Sequence, residues 1–366
     1  MKISAITAAL EEHAPRALAL EWDNVGLLLG EAGAEVERVL VTLDVTRAAA
    51  DKAIRTGCGL IVSHHPLFLR PLKRLNNPLI LRLARHGIAV YCAHTNLDVA
   101  RDGVNHALAA RLGLQGCTLL SHEAGTELLH VAVYVPPLSV GAVAQAVHEA
   151  GAGVLGNYSH CHARYPVQGQ FLPRGGANPT VGQVGRVEHV HEEKLEFFID
   201  SAHLDAALHA MRQAHPYEEP VYAVYPQRQP DPNHGLGLVG QLPQEVPLRA
   251  FSQDVCRQLG APGVSLWPAG KPADHPVRRV AVCGGSGGSL IGVARAAGAD
   301  VFVLGESNYH GMLDSPLPLV LAGHFFTEQP VVPVLASRLL ALGLFVEQLS
   351  PEEHEIAGLQ MMVPVE

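Results

Sequence analysis

Short apolar, β-branched runs alternate with amphipathic stretches from Val39 to about Leu120. The runs Val39–Leu43, Leu60–Val62 and Ile88–Cys92 predict strands; a stretch after Thr46, another near Leu79–Arg85 and a third over Val104–Leu112 predict helices. Strands alternating with helices imply parallel pairing through right-handed crossovers. The C-terminal third repeats this grammar. Strands are expected at Val280–Cys283, Val301–Leu304, Leu319–Ala322 and Phe345–Glu347, with helices over Leu290–Ala297 and from Thr327 to Leu342. Each apolar run is followed by Gly, Asp, Ser or His, and in open α/β sheets ligands collect at the carboxyl ends of strands.

Between these thirds the texture changes. Strands over Leu128–Val135, Tyr158–Arg164, Leu195–Ile199 and Val221–Tyr225, with helices over Val140–Glu149 and Leu204–Gln213, give a βαββαβ order that suggests a ferredoxin-like module. The Gly/Pro-rich stretch Pro166–Pro179 reads as an exposed loop, and residues 226–247 as a connector whose prolines and glycines break any periodicity. The expected fold is therefore α/β, in three segments: 1–126, 127–230 and 231–366. If the outer segments share one sheet or one cleft, the middle one is an insertion.

A chain of 366 residues exceeds what one core usually organises, and 48% apolar with 17% charged residues describes an ordinary globular protein. The net charge of −9, with no Lys/Arg cluster to offset it, argues against a nucleic-acid partner. Six widely spaced cysteines without a CxxC pair read as free thiols of a reducing compartment, so a cytoplasmic location is expected. Glu11 and Glu12 interrupt the opening segment before a signal-peptide core can form, and no apolar run of membrane-spanning length follows. The 21 histidines stand out, since histidine is the commonest metal ligand.

Position selects among them. Leu60–Val62 delivers Ser63-His64-His65-Pro66, where a turn at proline can send both imidazoles toward one cavity. Ala93-His94-Thr95-Asn96-Leu97-Asp98 follows the next strand, and Gly323-His324-Phe325-Phe326-Thr327-Glu328 follows a strand of the last third. Each cluster alone has a plainer reading: one histidine packed and one solvated, Asp98 as a helix cap, Glu328 at a positive helix N-terminus. All three nevertheless occupy the same architectural position. Together His64, His65, Asp98, His324 and Glu328 offer three imidazoles and two carboxylates, a set suited to two divalent cations such as Zn, Mn, Fe or Co. Two such cations activate a hydroxide at neutral pH and polarise a substrate oxygen, the usual arrangement for hydrolysis.

Other segments carry less. Gly284, Gly285 and Gly287 follow the strand at Val280–Cys283 and could contact a phosphate through their N–H groups, or serve close helix–strand packing. Glu306 and His310 lie beyond another strand as candidate general acid/base or substrate-orienting groups. Asp44 could support a ligand histidine, and Trp22 in Glu21-Trp22-Asp23-Asn24 reads as a turn residue packed into the core.

As a set, EWDNVGLLLG, TLDVT, SHHPLF, AHTNLDVARDGVN, CGGSGGSLIGVARAAGADVFVLGE and AGHFFTE resemble the Nif-three-like family, whose bacterial members go by the name GTP cyclohydrolase 1 type 2 homologues. The resemblance covers nearly the whole chain. It implies two βα-rich halves forming one dinuclear-metal domain, with the family's ligands falling on His64, His65, Asp98, His324 and Glu328. The middle segment, with His215-Pro216-Tyr217-Glu218-Glu219-Pro220, resembles the PII/CutA-like insertion of longer members. A homohexameric ring, and a metal-dependent hydrolase acting on a nucleotide or related small heterocycle, are what the resemblance implies. Non-catalytic metal storage, delivery or sensing, and a protein scaffold, stand as the other expectations.

Overall fold

The computed structural model describes residues 1–122, 127–156, 158–227 and 233–358. Two compact units emerge: Met1–Ala124 together with His234–Glu366, and Gly125–Asn233. The junctions expected at residues 126 and 230 lie outside the described residues.

Five strands come from the N-terminal third: β1 Gly26–Leu29, β2 Arg38–Thr42, β3 Leu60–Ser63, β4 Ala89–Cys92 and β5 Gln115–Ser121. The second unit holds β6 Leu128–Val135, β7 His162–Phe171, β8 Glu188–Asp200 and β9 Tyr222–Pro226. The first unit resumes with β10 Leu236–Pro247, β11 Ser265–Trp267, β12 Pro276–Ser286, β13 Val301–Glu306, β14 Leu319–Leu321 and β15 Phe345–Gln348.

The first unit contains two sheets, ordered β1-β4-β3-β2-β15 and β11-β14-β13-β12-β10-β5. Their centres are parallel, β15-β2-β3-β4 in one and β12-β13-β14 in the other, with antiparallel strands at the flanks. Each third lends a strand to the other's sheet: C-terminal β15 pairs with β2, and N-terminal β5 pairs with β10. The central runs Val39–Val41, Leu60–Val62 and Val90–Cys92 are fully buried, as a parallel sheet covered on both faces requires. The crossover helices carry their own stop and start signals. Thr46 accepts from the Ala49 N–H at the head of Arg47–Thr56, and Gly57 ends it at φ 70°. Asn77 caps Pro78–Arg85, which opens on a proline whose missing N–H has no partner to lose.

The second unit runs βαββαβ, and its sheet β7-β8-β6-β9 is antiparallel throughout. Its core joins Val131, Val133, Leu195, Phe197 and Ile199 of the sheet to Val143, Val147, Leu208 and Met211 of the helices Val140–Glu149 and Leu204–Ala214.

Several expectations need correction. The stretch read as a connector contains β10, whose partner register shifts between Gln241 and Val246, so Pro243 falls in an irregular part of the ladder where its missing N–H is tolerated. The loop expected from Pro166 starts instead after Phe171, because β7 is an edge strand and accommodates Pro166. The helix expected from Thr327 to Leu342 is two helices, His324–Glu328 and Val331–Ala341, separated at Pro330. Trp22 does not enter the core: it is 58% exposed. Helices Ile3–His13 and Leu248–Leu259 had no counterpart in the pattern reading.

Candidate metal centre

The carboxyl ends of β3, β4, β13 and β14 converge within the first unit. His64 and His65 follow β3 directly, and their N–H groups continue the ladder onto Thr42 and Leu43 carbonyls at 3.2 and 2.8 Å. This fixes both backbones while the chain turns at Pro66. The His64 ring is fully buried. Its Nδ1 donates to the Ala93 carbonyl at 2.9 Å, and since a carbonyl only accepts, the Nε2 lone pair is left facing inward.

The same logic repeats at three further imidazoles. His65 Nδ1 meets Asp44 Oδ1 at 2.7 Å, His94 Nδ1 meets Asp23 Oδ1 at 2.8 Å, and His324 Nδ1 meets Glu306 Oε1 at 3.1 Å. Anchoring one ring nitrogen on a carbonyl or carboxylate is how proteins orient and strengthen a ligating histidine. Ring centroids lie 5.0 Å apart for His64 and His65, 5.3 Å for His64 and His94, and 5.4 Å for His65 and His324.

Glu328 occupies the middle. Its side chain is 4% exposed, with Oε2 at 2.9 Å from His65 Nε2 and 3.9 Å from His64 Nε2, and Oε1 at 3.1 Å from His324 Nε2. Asp98, from the short helix Thr95–Val99, approaches His64 Nε2 at 3.6 Å. Three groups of donor atoms result, each within 4.8 Å: His64, Asp98 and Glu328; His65, His324 and Glu328; His64, His65 and His94. Buried His64 Nε2 and Glu328 Oε2 have no hydrogen-bond partner. Orphaned inward-facing donors of this kind fit a cation.

Charge points the same way. Burial lowers the His65 pKa, but the bond to Asp44 and the ion-pair contact with Glu328 outweigh it and push it up to about 10. The bond to Glu328 likewise outweighs burial at His324, taking it to about 9. The imidazoles of His324, His64 and His65 crowded around it overcome burial and hold Glu328 well below the usual carboxylate range. Burial, with the charge of Glu328, raises Asp98. Asp23, despite burial, is held at about 2 by bonds from His94 and Thr95. The carboxylates thus call for positive charge at the imidazole Nε2 positions, where a divalent cation competes with protons.

The structure therefore gathers all five residues expected as ligands, and adds His94. His94 is held by Asp23 of the EWDN segment, whose Oδ1 also accepts the Asn24 N–H at 2.7 Å. Glu306 contacts His324 and so positions that ring. His310 does not join the cluster: it is exposed on the helix Tyr309–Leu313, edge-on to Tyr309. A phosphate role for Gly284 and Gly285 is also corrected. Both lie within β12, and their N–H groups donate to Asn105 Oδ1 and Thr327 Oγ1 at 3.0 Å each. Gly285, at φ 64°, lets Glu328 approach, since a Cβ there would stand 2.2 Å from Oε1. Gly287 serves packing, because its Cα faces the side chains of Cys283, Leu304 and Phe302.

The model of the DUF34/NIF3 family (NGG1p interacting factor 3) matches residues 1–350. The chain belongs to this family. Among DUF34/NIF3 relatives, the GTP cyclohydrolase 1 type 2 homolog of Bacillus subtilis is 40% identical over 328 residues, covering 87% of both chains. That of Staphylococcus aureus strain COL is 37% identical over 321 residues, 87% of this chain and 86% of the other. Of solved structures, a Bacillus cereus protein related to NIF3 superposes with a TM-score of 0.81 at 36% identity, over 95% of this chain and 96% of that one. HcgD from Methanocaldococcus jannaschii shares the fold at 20% identity and a TM-score of 0.56, over 96% and 98% of the two chains. The mixed α/β fold with several sheets is thus that of DUF34/NIF3 structures. Among the described residues, no helix is long and apolar enough to cross a membrane.

Proposed function

We propose that this cluster holds two divalent cations and that the protein is a metal-dependent hydrolase of a nucleotide or related heterocycle. The observation that carries the reading is the shared carboxylate: Glu328 belongs to both the His64/Asp98 triad and the His65/His324 triad, so one side chain can bridge two ions. Nitrogen and carboxylate donors in this mixture suit Zn, Mn, Fe or Co. Cations held there would supply Lewis acidity, acidifying water toward neutrality and polarising a substrate oxygen.

The chain's own residues do the rest. Asp44, Asp23 and Glu306 fix three rings, the Ala93 carbonyl a fourth, and Glu328 sets the spacing between the triads. Exposed Trp22 stands edge-on to His94, ring centroids 6.1 Å apart, and offers an apolar face to a flat heterocycle at the margin of the cluster. The name shared by the close relatives supports the nucleotide class. Metal-reconstituted protein should turn over at least one member of a nucleotide panel that includes GTP, followed by ultraviolet absorbance and mass spectrometry. Inertness with all four metals would refute catalysis. The position of His310 outside the cluster favours a second reading, metal storage or delivery, which requires rapid exchange with chelators and no turnover.

The second unit's strand order supports reading residues 127–230 as a ferredoxin-like, PII/CutA-like insertion between the halves 1–126 and 231–366. Six free cysteines support a reducing, cytoplasmic setting. The family resemblance supports a homohexamer, which sedimentation equilibrium tests.

A further inference from the structure

We infer that a cavity in the second unit, remote in sequence from every metal-cluster residue, binds a small organic cation: an amine, amidine or guanidine on a flat or apolar body. The cavity measures about 450 Å³ and lies between the far half of β7, the loop after it, and the segment Tyr217–Val221. That volume falls in the range of small-molecule sites. Its walls are pinned: Thr180 Oγ1 donates to the Pro216 carbonyl at 2.6 Å, and the Asn178 N–H donates to Glu218 Oε1 at 3.1 Å.

The deciding residue is Glu192. On β8 the helix side is taken by Leu195, Phe197 and Ile199, so Glu192 falls on the other face by alternation, yet it is only 8% exposed and lines the cavity. Two neighbours on that strand have cations of their own: Glu193 with Arg164 at 3.5 Å and Glu196 with Lys194 at 2.5 Å. Among the described residues, Glu192 has no such ion pair. His215, close by, does not supply the charge. Burial lowers its pKa; its Nε2 donates to the Tyr134 carbonyl at 2.9 Å, and its Nδ1 accepts the Tyr217 N–H at 3.1 Å. The Tyr217 hydroxyl keeps its proton, since burial and the Glu192 carboxylate push it up to about 12. At most one of about four acceptor sites on that carboxylate is met by this hydroxyl.

The backbone makes room for this carboxylate. A Cβ on Gly169 of the paired strand would stand 2.4 Å from Glu192 Oε2. Glu218 and Glu219 at the rim add negative charge against a single exposed cation, Arg174. Phe171 and Tyr217, ring centroids 6.4 Å apart, offer faces to a cationic group. A buried carboxylate costs free energy unless paired, and a ligand amidinium would meet it with two parallel N–H donors.

The test is titration calorimetry on the full-length protein with benzamidine, a planar aromatic amidinium, and with its neutral isostere benzamide. One benzamidine per subunit is expected, with benzamide at least about tenfold weaker, in keeping with the strength of charge-assisted bonds. Glu192→Gln should weaken benzamidine at least about tenfold, and Gly169→Leu, which fills the space, should abolish its binding. Metal content should be unchanged in both variants. Absence of saturable benzamidine binding, equal affinity for benzamide, or full affinity in Glu192→Gln would each overturn the assignment. The benzamidine-to-benzamide ratio on the unmodified chain decides the matter should either variant misfold.

Discussion

Replacing Glu328 by Gln keeps the shape of the side chain and removes its charge at the point where two donor triads meet. The carboxylate is 4% exposed and touches His65 and His324 at 2.9 and 3.1 Å. Removing one charged partner from a buried set costs about 3–5 kcal/mol. At about 1.4 kcal/mol per decade, cation affinity should fall by roughly two to three and a half orders of magnitude. Because Glu328 is common to both triads, the loss should affect both cations together, whereas Asp98→Asn, which touches one triad, should cost one. Metal content measured by mass spectrometry after dialysis against a chelator should therefore read two per chain for the unmodified protein, none for Glu328→Gln and one for Asp98→Asn. Circular dichroism would establish that each variant is folded. Two tightly held cations in Glu328→Gln would refute the bridging role, and identical losses in both variants would refute the division into triads.

Asp44→Ala removes the anchor on His65 Nδ1, and metal affinity should fall about 10- to 100-fold, as for other residues that orient a ligand, with the fold intact by circular dichroism. Gly285→Ala should lower both metal content and melting temperature, because its Cβ would invade the Glu328 carboxylate and a φ of 64° strains any other residue. His13 is pushed down to about 4 from 6.5 by burial and by Arg338. The unfolded chain takes up that proton first, so stability should fall as pH drops from 6.5 toward 4. Urea midpoints of the unmodified chain and His13→Gln should diverge over that interval.

The candidate metal centre was legible because its histidines and carboxylates sit after apolar strands, where the sheet itself dictates their convergence; alternation of β-branched runs and helical stretches revealed that much. Nothing local showed that Asp23 and Glu306 would each hold a ring nitrogen, since those contacts join Asp23 to His94 and Glu306 to His324 across the fold. Proline and glycine misled in both units. Pro243 and Pro166 suggested broken structure, yet an irregular ladder and an edge strand absorb them without loss of pairing. Gly285 invited a phosphate reading, whereas its lack of a side chain serves Glu328. Trp22 shows the converse error: a large aromatic was assigned to the core on hydrophobicity alone and lies on the surface.

The strands that each third lends to the other's sheet bear on how the molecule is made. β2 cannot gain its β15 neighbour until Phe345–Gln348 has left the ribosome, and His324 and Glu328 emerge just ahead of that strand. Pairings so distant along the chain form slowly. During synthesis, then, the earlier segment presents His64, His65 and His94 before the Glu328 carboxylate that closes both donor triads has been made.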